Sequence, residues 1–176
     1  MENEWPVVTL ETGRLVLSEL SPDTDTEFIC RLLNEPSFLE MIGDRGVRDE
    51  TQAVSYIESG PVHSYRNHGF GLYKVVLRDS GAAIGISGLV KRDTLEHPDV
   101  GFALFPEFWG QGYATESARA AVDQARTRPD IPELLGITDP INAGSIRVLE
   151  KLGFAFVRQI RMDGDNKDIN LYHLTL

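Results

Sequence analysis

The sequence of 176 residues predicts one domain of mixed α/β or α+β class, and three stretches carry that prediction. Two apolar runs, 70–77 and 83–90, are separated by Asp79-Ser80-Gly81, a turn signal, and read as a hairpin. A further buried strand, Asp99 to Phe105, should stop at Pro106, because proline cannot donate to a sheet ladder. Behind it Gly110 and Gly112 flank Gln111. Ala118, Ala121, Val122 and Ala125 then fall at i, i+3, i+4 and i+7, the apolar stripe of a helix.

The remaining elements follow in chain order. Leu15, Leu17 and Leu20 alternate imperfectly and mark a first strand over 14–20. Ser21-Pro22-Asp23 opens a helix carrying Phe28, Ile29, Leu32 and Leu33, which Asn34-Glu35-Pro36 ends. After the loop Ile42–Arg48, Asp49 or Thr51 caps a second helix with Val54 and Ile57 facing inward. The hairpin and the strand at 99–105 make an antiparallel meander. A helix over 115–127 ends before Pro129 and Pro132, and a short strand follows at 133–138. Asn142 caps another helix, with Ile146, Leu149 and Leu152 on its buried face and Gly153 as the glycine past its end. Terminal strands complete the chain.

Composition narrows the function. Hydrophobic residues make up 41% and charged residues 25%, as in ordinary globular proteins. A net charge of −10 disfavours nucleic acid, whose phosphates are held by Lys and Arg. It suits a cationic acceptor such as an amine, and solubility accounts for it equally well. Cys30 is the single cysteine, which excludes an intramolecular disulfide and fits a reducing cytosol. On an apolar helical segment it reads as a core thiol. No segment approaches the ~18 apolar residues of a membrane span. Met1-Glu2-Asn3-Glu4 is acidic and unlike a secretory leader, so a cytoplasmic protein is expected. His63, His68, His97 and His173 show no metal-ligand spacing, and no metal is expected.

A strand, a glycine-bearing turn and a helix start make an anion site, whose natural tenant is a phosphate or pyrophosphate. Two familiar phosphate loops fail here. No lysine lies in the turn, as a P-loop requires, and Thr115 stands where a dinucleotide fingerprint needs its third glycine.

The stretch Trp109-Gly110-Gln111-Gly112-Tyr113-Ala114 does resemble motif A of the GNAT family of acyl-CoA N-acetyltransferases, Arg/Gln-x-x-Gly-x-Gly/Ala. It matches at Gly112 and Ala114 and departs at Trp109, as in the branch similar to ribosomal-protein N-terminal acetyltransferases. Asn142-Ala143-Gly144-Ser145-Ile146-Arg147-Val148-Leu149-Glu150-Lys151-Leu152-Gly153-Phe154 resembles the family's motif B, in the expected order. The resemblance covers nearly the whole chain and is weakest before Gly69. It implies a mostly antiparallel sheet flanked by helices and splayed between its fourth and fifth strands, where acetyl-CoA enters as cosubstrate.

Carried over by residue, the resemblance assigns the pyrophosphate to backbone N–H groups of Gly110, Gly112, Tyr113 and Ala114, with Gln111 in the same loop. The strand edge at Phe102 and Leu104 would pair with pantetheine as an added strand, and Asn142 would reach the same arm. Arg147 and Lys151 would meet the ribose phosphate or simply form a solvated helix face. Asp99 holds the place of the base, with His97 as the weaker alternative, and Glu116 supports the helix start. Many members carry a tyrosine acid where this chain has Leu149, so Ser145 is the hydroxyl left near the sulfur. Tyr113 and Tyr172 are further phenols. Asp44 and Arg45 are either surface turn residues or part of the acceptor pocket.

These readings imply an enzyme moving acetyl to a primary amine by direct attack, as a monomer or homodimer. The acceptor is a protein N-terminus or a small amine. The missing tyrosine keeps open a non-catalytic module that only binds acyl-CoA.

Overall fold

The computed structural model describes Val7 and residues 9–162 and 164–176; the acidic Met1–Glu4 stretch lies outside the described residues. One sheet holds eight strands: β1 (Thr9–Glu11), β2 (Leu15–Ser18), β3 (Leu72–Leu77), β4 (Ala83–Val90), β5 (Asp99–Leu104), β6 (Glu133–Thr138), β7 (Ala155–Arg161) and β8 (Asp168–Thr175). Their order is β1-β2-β3-β4-β5-β6-β8-β7, and only β5 and β6 are parallel neighbours. The mixed, mostly antiparallel class expected from the sequence is therefore found. The hairpin, the strand at 133–138 and the proline stop after β5 stand where the residues placed them.

Six residue pairs join β4 to β5, and six join β6 to β8. Between β5 and β6 there is one, Asp99 with Leu135, supported by the Leu135 N–H donating to the Pro98 carbonyl at 2.9 Å. The sheet opens beyond that point. Because β1 precedes the first expected strand, the splayed pair is the fifth and sixth rather than the fourth and fifth.

Helix α5 (Tyr113–Arg126) covers one face through Ala118, Ala121, Val122 and Ala125, all almost fully buried, as their spacing requires. Beside it packs α6 (Ala143–Lys151), which buries Val148 and Leu149. The Gly153 N–H bonds the Glu150 carbonyl and the Phe154 N–H bonds that of Leu149, the paired closure of a Schellman end. α4 (His63–His68) stacks Tyr65 on Tyr73, in the cluster that also holds Tyr113 and Ala114 of α5, whereas on the face opposite α5 lie α1 (Thr26–Leu33), α2 (Pro36–Met41) and α3 (Glu50–Ile57). Their core joins Ile29, Leu32, Phe38 and Ile57 to Ile86 and Phe105 of the sheet side.

Here the chain departs from expectation. Pro36 ends α1 but also serves as the first residue of α2, a role its fixed φ suits, so an extra helix follows without a loop. Beyond α3 the chain runs through a π-helical turn at Glu58–Val62 into α4, and Pro61 sits inside that widened turn. Ala53 and Ile57 take the inward positions of α3, and Val54 is half-buried. Cys30 packs against this core while half-buried. Among the described residues no helix is long and apolar enough to cross a membrane.

Candidate active site

Where β5 and β6 part, the chain encloses a cavity of about 650 Å3. Phe102, Ala103 and Leu104 line it from β5. Peptide groups along a strand point alternately to its two edges. The Phe105 N–H donates to Ile84 on the β4 side, and the Pro98 carbonyl accepts from Leu135 on the β6 side. This parity turns the N–H groups of Phe102 and Leu104 toward the open edge. The Leu104 carbonyl on that edge accepts the Trp109 indole N–H at 3.0 Å, so Trp109 is fixed at the cavity although 55% exposed.

Gly110 and Gly112 have φ of 75° and 82°, left-handed values that glycine adopts freely. Gly112 is the N-cap of α5, and no side chain caps this end. The N–H groups of Tyr113, Ala114 and Thr115 therefore face the cavity mouth without an intrahelical or side-chain partner. Glu116 holds the helix start in another way. Its carboxylate accepts from the Thr12 hydroxyl at 2.6 Å, from the Arg14 N–H at 2.9 Å and from Arg14 Nε at 2.7 Å. Desolvation pulls the Glu116 carboxyl upward, but these donors hold it below the ordinary range.

Gln111 is absent from the cavity wall. Its carbonyl accepts from Arg14 Nη1 at 3.0 Å, and its exposed amide reaches toward the Glu107 carbonyl. Gln111, which the resemblance sets in the same loop, thus turns its carbonyl to the β1–β2 turn and its side chain toward Glu107.

The facing wall comes from α6. Asn142 Oδ1 accepts the Ser145 N–H at 3.1 Å, the cap its residue type predicts, and both residues line the cavity. The Ser145 hydroxyl has no hydrogen-bond partner among the described residues. Arg147 and Lys151 stand exposed on the same wall. Leu149 points away, 1% exposed, and a Cβ on Gly136 would meet its Cδ2 at 2.8 Å, so glycine makes room for it.

Asp99 begins β5 and is 1% exposed, with Arg92 Nε at 2.9 Å from Oδ1. Burial raises its carboxyl to about 6 against the opposing pull of Arg92. Its side chain does not line the cavity wall. His97 is committed elsewhere: Nε2 meets Glu133, whose second oxygen meets His173 Nε2. Asp44 is no wall residue either; Arg48 and the Gly46 N–H take its carboxylate and hold it below its usual range.

The sequence reading missed the third wall. Leu32, Glu35, Ser37, Phe38, Met41 and Ile42 close the cavity from the ends of α1 and α2. The signal was Pro36, which fits a helix start as well as a helix end. Arg92 had no such signal.

The model of the Acetyltransferase (GNAT) domain matches residues 14–155. FsC-acetyl coenzyme A-N(2)-transacetylase of Aspergillus fumigatus is 30% identical over 164 residues, covering 85% of this chain and 66% of that protein. An acetyltransferase structure from Agrobacterium tumefaciens superposes with a TM-score of 0.80 at 23% identity, covering 100% and 99% of the two chains. RimL, a ribosomal L7/L12 alpha-N-protein acetyltransferase in complex with coenzyme A, gives 0.80 at 15% identity, covering 96% and 98%.

Proposed function

The chain belongs to the GNAT acetyltransferase family and is an acetyl-CoA-dependent N-acetyltransferase, and we propose that it acetylates a primary amine by direct attack in a ternary complex. The acceptor is a protein N-terminus or a small amine. One observation carries the reading. The uncapped start of α5, the left-handed glycines and the free edge of β5 line one continuous cavity. That surface fits a pyrophosphate followed by an extended amide-bearing arm.

In this reading the N–H groups of Gly110, Gly112, Tyr113 and Ala114 take the pyrophosphate. The edges of Phe102 and Leu104, with Asn142 opposite, take the pantetheine arm. One of the two strand N–H groups faces the thioester oxygen and stabilises the negative charge that develops there; such a donor is worth about 3 kcal/mol. The amine nitrogen forms the new C–N bond as the C–S bond breaks. Asp99, with a carboxyl at about 6, is ionised at neutral pH; buried behind the cavity wall on the strand that lines it, it takes the proton the amine loses through water and not by direct contact. The Ser145 hydroxyl donates a hydrogen bond to the departing thiolate and relays to it a proton from water, so that Ser145 ends the turnover unchanged. With Leu149 buried against Gly136, no phenol serves at that place.

Calorimetric titration with acetyl-CoA, and with ATP and NAD as controls, tests the cradle. Binding of acetyl-CoA alone is expected. Binding of ATP or NAD in its place, or of none of the three, overturns the assignment.

A further inference from the structure

Among the described residues three charged side chains line the cavity: Glu35, Arg147 and Lys151. The two cations sit on α6. Glu35 sits between α1 and α2, whose core lies on the opposite sheet face. The cavity therefore carries positive charge at one end and a single carboxylate at the other.

Several carboxylates of the fold are held by cations, and Glu27 and Glu40 on the same two helices, which lack a pair among the described residues, do not line the cavity. Asp25 is paired with Lys74, Asp44 with Arg48, Asp99 with Arg92 and Glu107 with Arg31. Glu35 has no hydrogen bond or ion pair from its side chain among the described residues, although it is half-buried. Leu32, Phe38, Met41 and Ile42 line the same wall of the cavity with apolar side chains. In such surroundings an unpaired carboxylate attracts an ammonium group more strongly than it would in open water.

Resting on the acetyl-transfer reading of this cavity, we propose that Glu35 selects acceptors bearing a second cationic group beside the amine that is acetylated. The reacting nitrogen must be neutral to attack, so its own charge is lost before the C–N bond forms. A fixed carboxylate is complemented by a nitrogen that stays protonated throughout. That nitrogen forms and breaks no bond. It holds the acceptor with its free amine directed along the cavity, and the net charge of −10 draws such a molecule in.

Initial rates at saturating acetyl-CoA with two matched pairs test this: 1,4-diaminobutane against n-butylamine, and Ala-Lys-Ala against Ala-Ala-Ala. The cationic member should show a kcat/KM about tenfold higher, mainly through KM. Glu35→Gln should bring that ratio close to one while acetyl-CoA still binds calorimetrically, and Glu35→Asp should restore part of it. A preference in the amine pair assigns the second cation to a small diamine; one confined to the peptides assigns it to a lysine side chain. An unchanged ratio in Glu35→Gln, or no preference in either pair, overturns the inference alone. Acetyl-CoA binding with no turnover of any of the four overturns it together with the acetyl-transfer reading for these acceptors.

Discussion

On the α5–α6 side the cavity is walled largely by backbone and short side chains, whereas on the α1–α2 side it is walled by Leu32, Glu35, Phe38, Met41 and Ile42. The first wall offers N–H groups fixed by glycine φ values and an uncapped helix start. The second offers size, apolarity and one charge. A ligand part common to every turnover suits peptide groups whose geometry the fold sets. A variable acceptor suits side chains that change one at a time without disturbing a helix. Division of labour between the walls gives each a different response to mutation.

The largest effect should come from Gly112→Val. A β-branched residue at φ 82° is strained and its branches project at the helix start, so acetyl-CoA affinity should fall by about 100-fold or more. Calorimetry measures the loss, and an unchanged circular dichroism spectrum shows that the fold persists.

Asp99→Asn comes next. The Asp99 carboxyl is raised from 3.8 to about 6, so its contribution to stability is fully present below pH 3.8 and is lost as pH rises through about 6. The parent should lose about 2 kcal/mol from this group between pH 4 and pH 8 relative to Asp99→Asn. Urea unfolding at the two pH values measures this. If Asp99 accepts the proton, the parent rate also falls below pH 6, and the variant loses that limb along with most of its activity.

A smaller change is expected of Asn142→Ala. Losing the bond to the Ser145 N–H should cost about 1 kcal/mol of stability, with a several-fold loss of acetyl-CoA affinity, by thermal unfolding and calorimetry. On the other wall, Met41→Ala should raise acceptor KM several-fold while leaving acetyl-CoA affinity as it was. A Met41 effect on acetyl-CoA binding equal to that of Asn142→Ala would erase the contrast between the walls. Gln111→Ala should change nothing measurable in acetyl-CoA affinity, since its side chain lies outside the cavity.

The same contrast explains what could be read in advance. Gly112, Asn142, Gly153 and Pro106 have narrow backbone roles, so their types and spacing located the turn, both ends of α6 and the end of β5. The alanine stripe of α5 needed only helical periodicity. Pro36 was ambiguous because proline suits the residue after one helix and the first residue of the next. Pro61 reads as a breaker until a π turn accommodates it. Side-chain partnerships across the fold were beyond reach: Arg14 meets Glu116 over 102 residues, and nothing local to either announces the other. Arg92 lies only seven residues from Asp99, yet their pairing depends on how the loop before β5 is folded. The third wall was missed for the same reason, because Glu35 and its neighbours acquire meaning only when α2 is set against the open edge of β5.

The indole of Trp109, bonded to the Leu104 carbonyl at the open edge of β5, has an optical consequence. The sequence contains two tryptophans, Trp5 and Trp109. In a Trp5→Phe protein all indole emission arises from the lip of the cleft. Anything that lies along the strand edge changes the polarity around that ring and competes for the carbonyl it holds. Filling of the cleft can then be followed in real time by fluorescence, without a labelled ligand, and arrival of the nucleotide arm separated from the chemical step that follows.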